Sequence, residues 1–148
     1  MPNLVKKLDT FLRLPKGTRR LFAEALITSA MVKFCLLLFP FRYVLHWMGT
    51  AQAESGQMPD EASLLVRKNI KSALQLCCKY TPWRTECYTL ALTGKLLLKR
   101  RNISSTLYLG FIKDGNGKRK GHAWLRACDT YISGYKESVD YPVNFTFS

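Results

Sequence analysis

The chain has 148 residues and a mass of 17.0 kDa, 47% hydrophobic and 22% charged, which suffices for one core, is too little for two, and excludes a disordered or collagen-like chain. Twenty-three Lys and Arg against ten Asp and Glu leave a net charge of +13, which points to an anionic partner or to a surface that repels its own copies. Five cysteines without a CxxC pair, and only two histidines, argue against a zinc site and suit a reducing cytoplasm, with at least one thiol kept for reactivity rather than cross-linking.

Residues 1–20 are polar and basic, with Pro15 and Gly17 expected to break any helix. Residues 21–39, LFAEALITSAMVKFCLLLF, are nearly long enough to span a bilayer. Glu24 and Lys33 lie inside, each costing about 2.5–3.5 kcal/mol near a bilayer centre, and no signal-peptide layout precedes them. The segment is therefore expected to be a buried or partner-binding helix that can contact a membrane but does not span it. Its apolar residues run round most of the circumference, so one face is expected on the rest of the chain and another as a groove for a peptide or protein partner.

Pro40 opens a second helical stretch, stopped by Gly49, and residues 50–60 read as a linker. A helix follows from Asp60-Glu61-Ala62 to about residue 79. A stronger one runs from a Thr85 cap through Cys87, Leu90, Ala91, Gly94, Leu97 and Leu98 to Asn102. The period then changes. Residues 106–113 alternate, Asp114-Gly115-Asn116-Gly117 is a hairpin turn, residues 121–127 alternate again, and a turn at Cys128-Asp129 leads into 130–134. Helices followed by an antiparallel sheet make an α+β fold, divided into a basic arm with apolar helices and linker (1–60) and a catalytic domain (61–148).

Cys87 is the candidate nucleophile. In the first turn of a helix, free N–H groups and the positive dipole end are expected to lower its pKa and to receive an oxyanion. His122, on a strand 35 residues later, is the candidate general acid/base. The other cysteines read as core or surface thiols, and His46 as structural or exposed. No phosphate-binding Gly-rich loop is present. Nine Lys and Arg against one Asp between 95 and 126 cluster at a helix end and a hairpin tip rather than over an aromatic sheet face, so nucleic acid is not the expected partner.

The strings around these residues carry a resemblance. Thr81-Pro82-Trp83-Arg84-Thr85-Glu86-Cys87, the helix end Leu96-Leu97-Leu98-Lys99-Arg100-Arg101-Asn102-Ile103, the strand Leu107-Tyr108-Leu109-Gly110-Phe111 and the strand Gly121-His122-Ala123-Trp124-Leu125 resemble the PWxxxC, LLxRRxI, xLxxGV and AHAWVE patterns of the transglutaminase-like leader peptidases of lasso-peptide biosynthesis. The basic, leucine-rich N-terminal helices ending in Phe39-Pro40-Phe41-Arg42 are similar to the stand-alone form.

The resemblance implies a minimal papain/transglutaminase-like fold and a cofactor-free, metal-free cytoplasmic cysteine peptidase. It would remove the leader from a ribosomally made precursor. A separate leader-recognition protein and a separate ATP-dependent lasso cyclase are the implied partners. The family's third residue, an Asp about twelve positions after the His, falls on Gly134. A two-residue turn at 128–129 would set Tyr135 opposite His122, leaving Glu137, Asp129, Asp140 or a backbone carbonyl to orient the imidazole. Trp83 and Trp124 are candidate cleft walls. Other readings of the same residues are a catalytically idle binding module of a maturation complex and a transamidase or acyltransferase using the same Cys–His pair.

Overall fold

The computed structural model describes residues 2–148. Two helices, α1 (Pro2–Arg13) and α2 (Lys16–Leu38), are followed by the short α3 (Phe41–His46). α4 (Glu61–Tyr80) and α5 (Cys87–Lys99) lead into the hairpin β1 (Thr106–Lys113) and β2 (Arg119–Ala127). β3 (Thr130–Ser133), α6 (Tyr135–Ser138) and β4 (Phe145–Phe147) complete the chain. The sheet is antiparallel in the order β3-β2-β1-β4, and helices precede strands as expected of an α+β chain.

The first twenty residues differ from expectation. They are helical on both sides of Pro15, because the proline stands at the cap of α2, where its missing N–H is no loss, and its carbonyl accepts from Arg19 N at 2.9 Å. α2 thus starts five residues earlier than the apolar run. Its buried side, Phe22, Ala25, Thr28, Ser29 and Val32, lies on α4 and α5. The two charges inside its apolar run serve this packing. Glu24 takes Arg101 at 2.6 Å and Arg100 at 3.2 Å, and Lys33 meets Glu86 at 3.5 Å. The hydrogen bond from Arg101 holds the Glu24 carboxyl below its ordinary range, against a smaller opposing effect of burial.

α4 is capped as expected, with the Asp60 carboxylate accepting from Ala62 N at 3.2 Å. α5 is not capped by Thr85; the cap position is Glu86, whose side chain turns away toward Lys33. At the far end Asn102 takes a left-handed φ of 55° and Ile103 N returns to Leu98 O. The β1–β2 register runs from Thr106↔Arg126 to Lys113↔Arg119, closed by Asp114, whose carboxylate accepts from Asn116 N and Lys118 N.

One core takes residues from both sides of position 60: Phe22, Ala25, Val32, Val44 and Met48 join Ile70, Leu74, Leu92, Leu98, Leu109 and Leu125. The expected linker is tied down as well. Thr50 and Ser148 exchange backbone hydrogen bonds, Gln52 N donates to Thr146 O, and Ser55 N donates to Thr106 Oγ1. The division at residue 60 is therefore one of sequence character, not of packing.

Candidate active site

Cys87 is the first residue of α5, and α5 packs on β2. That packing sets the start of α5 on the strand that carries His122, and the backbone N–H groups of Ala123, Tyr88 and Cys87 itself favour the thiolate. The thiol is half-buried, and burial pushes its pKa up. The three N–H groups pull the other way and the Glu86 carboxylate adds to the rise, with burial prevailing. The expected lowering at a helix start is thus overturned, because desolvation outweighs the helix-end amides.

His122 is buried on β2 opposite Gly110. Its Nε2 lies 2.8 Å from the carbonyl of Gly134. A carbonyl only accepts, so Nε2 carries the proton and neutral imidazole keeps its lone pair on Nδ1. The position at which the resemblance calls for an Asp therefore orients the ring through its backbone. Two facts fix a glycine there. Its φ is +73°, and a β-carbon would meet Ala123 O at 2.5 Å and Trp124 Cβ at 3.0 Å. An Asp side chain has no room.

The expected register past the turn also fails. Ala127 pairs with Thr130, but a bulge between Leu125 and Arg126 sets Ser133 opposite Leu125, and the chain leaves the sheet at Gly134. Tyr135 and Glu137 consequently lie on α6, exposed, and Asp140 is exposed beyond it. Asp129 is engaged elsewhere: its carboxylate takes the Arg67 guanidinium at 2.7 Å, a hydrogen bond that holds its pKa below the ordinary value. Of the alternatives, the backbone carbonyl is the group on the imidazole.

Trp124 is 4% exposed and lies in a stacked row, 5.6 Å from Tyr108 on one side and 5.8 Å from His122 on the other. It backs the imidazole instead of walling an open cleft. Tyr141 covers the ring at 5.1 Å. Trp83 does not join this row. It lines an apolar cavity of 500 Å³ with Phe11, Phe22 and Tyr80, its indole N–H buried without a partner. Sequence reasoning missed Tyr88, which adjoins the nucleophile, packs edge-on to Phe41 at 4.9 Å and fills the space that a side chain at position 121 would need. Burial, reinforced by Cys87 and Tyr141, raises its phenol to about 12, so it is neutral at physiological pH.

A family model described as Transglutaminase-like superfamily matches residues 31–146, well over half of the chain and inclusive of Cys87, His122 and Gly134. The chain belongs to the transglutaminase-like superfamily. No curated protein and no solved structure matches it. Membership in this superfamily points to a cysteine peptidase or transferase. The match starts at Met31, inside α2, so the superfamily region takes in the last third of that helix and all of residues 50–60. All five thiols are free, and no cluster of three or more His, Cys, Asp or Glu suited to a metal occurs among the described residues.

Proposed function

We propose that this transglutaminase-like protein is a cysteine peptidase that removes the leader from a ribosomally synthesised lasso-peptide precursor. The observation that carries the reading is the hydrogen bond between His122 Nε2 and Gly134 O: a carbonyl accepts, so Nδ1 is left as the base, on the strand against which the Cys87 helix packs. The motif strings around Cys87 and His122 supply the substrate class.

The Cys87 thiol is raised, not lowered, so attack starts from the thiol and not from a preformed thiolate. As the sulfur attacks the leader–core carbonyl, its proton passes to Nδ1 of His122. The oxyanion faces the free N–H groups at the start of α5. Collapse breaks the C–N bond, the imidazolium returns its proton to the leaving amine, and the leader stays as a thioester on Cys87. Water, deprotonated by His122, then releases the leader acid and restores the thiol. The Gly134 carbonyl supports the imidazolium through one hydrogen bond and adds no full charge. A separate leader-recognition protein presenting the precursor and an ATP-dependent cyclase acting on the freed core complete the proposed cytoplasmic pathway.

The test is cleavage of the precursor, followed by mass spectrometry, with the recognition protein present. Wild type should release leader and core, whereas Cys87→Ala and His122→Ala should fall to background. Cleavage retained in Cys87→Ala would move the protein to the binding-module reading, and a leader joined to an added amine would make it a transamidase.

A further inference from the structure

Among the described residues, nothing covers the outward side of α2. Ile27, Met31, Phe34 and Leu38 follow one another at helical spacing with exposures of 56–62%, and Leu37 beside them reaches 74%. No charge interrupts this stripe, because both charges in its apolar run, Glu24 and Lys33, turn inward to Arg100, Arg101 and Glu86. The same stripe begins with two exposed cations, Arg20 and Lys16, about two and three turns before the apolar part. Beyond its end come exposed Arg42, Tyr43 and Trp47, with Phe39 edge-on to Trp47 at 5.7 Å. Residues 27–38 therefore form an apolar ridge about 16 Å long, with cations at both ends and amphipathic aromatics at one.

We infer that this ridge seats the protein on the surface of an anionic lipid bilayer, with α2 in the plane of the interface. Charge selects this occupant. Residues 2–48 hold eight Lys and Arg against Asp9 and Glu24, both of which are already paired within the chain. A second copy would bring a like charge of +13 to the same contact, whereas anionic headgroups attract it. Shape agrees: the exposed side chains project from a helix, and none of the cavities described is lined by them. A projecting ridge can insert into a soft apolar medium without a preformed complement. Apolar insertion and a basic surround are the two signals that together hold a peripheral protein on a membrane. Tyr43 and Trp47 occupy the place of interfacial aromatics. A span is opposed by the packing of the opposite side of α2 on α4 and α5.

Flotation of the full chain with vesicles tests this. With phosphatidylcholine vesicles containing about one third phosphatidylglycerol, the bound fraction should correspond to a partition at least about tenfold above that on pure phosphatidylcholine, and it should fall as salt screens the headgroups. Phe34→Glu/Leu38→Glu should lower it about tenfold or more. Lys16→Glu/Arg20→Glu should remove most of the preference for anionic lipid. Should the first pair disturb folding by circular dichroism, Phe34→Ser/Leu38→Ser replaces it, with the same direction expected. Four results would overturn the inference: no flotation with anionic vesicles; undiminished binding by the folded ridge variants; resistance of the bound protein to alkaline carbonate, which marks a span; or a dimer in sedimentation velocity that the ridge variants abolish, which assigns the ridge to a second copy.

Discussion

The two halves of this molecule treat water in opposite ways. In α4 through β4, three long cations are buried and engaged. Arg67 is 0% exposed and bonds Ser63 Oγ, the Asp60 and Ala127 carbonyls, Asp129 and Thr130; Arg126 ties Tyr108 to the Ser55 and Gly56 carbonyls; Lys95 reaches Ser105 O at 2.7 Å. α1 through α3 hold most of the exposed large apolar groups, from Val5, Leu8 and Leu12 to Trp47. Buried polar groups that meet their partners specify one arrangement. Exposed apolar ones specify a contact still to be made. The half that carries the thiol and imidazole is thus accounted for by its own interior, and the other half leaves apolar side chains that its interior does not account for.

Substitutions can break or sharpen this contrast. The largest effect on activity is expected at Cys87, where Cys87→Ala should abolish turnover yet leave the melting temperature nearly unchanged, since a half-buried thiol contributes little packing. Next is Gly134→Ala. Its β-carbon collides with Ala123 O and its φ is strained, so the carbonyl should shift off His122, lowering kcat by about 10²-fold with KM little changed. A kcat within a factor of two of wild type would detach Gly134 from the imidazole's orientation.

In stability, Arg67→Met should lose about 2–3 kcal/mol in urea unfolding, because several polar partners lose a charged donor at once. The matching change in the other half, Leu37→Gln, should stay within about 0.5 kcal/mol of wild type, as surface changes do. A large loss there would make the ridge part of the fold. The smallest effect concerns pH. Because burial raises the Cys87 thiol above its ordinary value of 9.0, its alkylation by iodoacetamide should keep accelerating past pH 9 and at pH 7 should trail that of exposed Cys78. A plateau below pH 8 would instead reveal a preformed thiolate–imidazolium pair.

What could be read from the chain follows the same division. The β1–β2 hairpin was legible because strict alternation and an Asp-Gly-Asn-Gly turn are local signals, and α4 because its cap and apolar face agree. Cys87 at a helix start and His122 on a strand were legible for the same reason. The orienting group was not, since a carbonyl leaves no trace in residue identity and the bulge at Leu125–Arg126 that delivers it breaks the period on which register is counted. The buried roles of Arg67 and Arg126 were hidden too, because a guanidinium is ordinarily a surface group until its acceptors are known. α1 was obscured by reading Pro15 as a breaker when it is a boundary. The thiol's direction depended on burial, which helix position alone does not supply.

The central claim, acyl transfer through Cys87 with His122 as its base, is tested most directly by intact-protein mass spectrometry of the chain quenched in acid during precursor turnover. The account predicts a transient adduct with the mass of the leader, mapped by peptide sequencing to Cys87, absent from Cys87→Ala and from His122→Ala. Cleavage that proceeds with the leader bound to another residue, or an adduct that forms as fast in His122→Ala as in wild type, would contradict it.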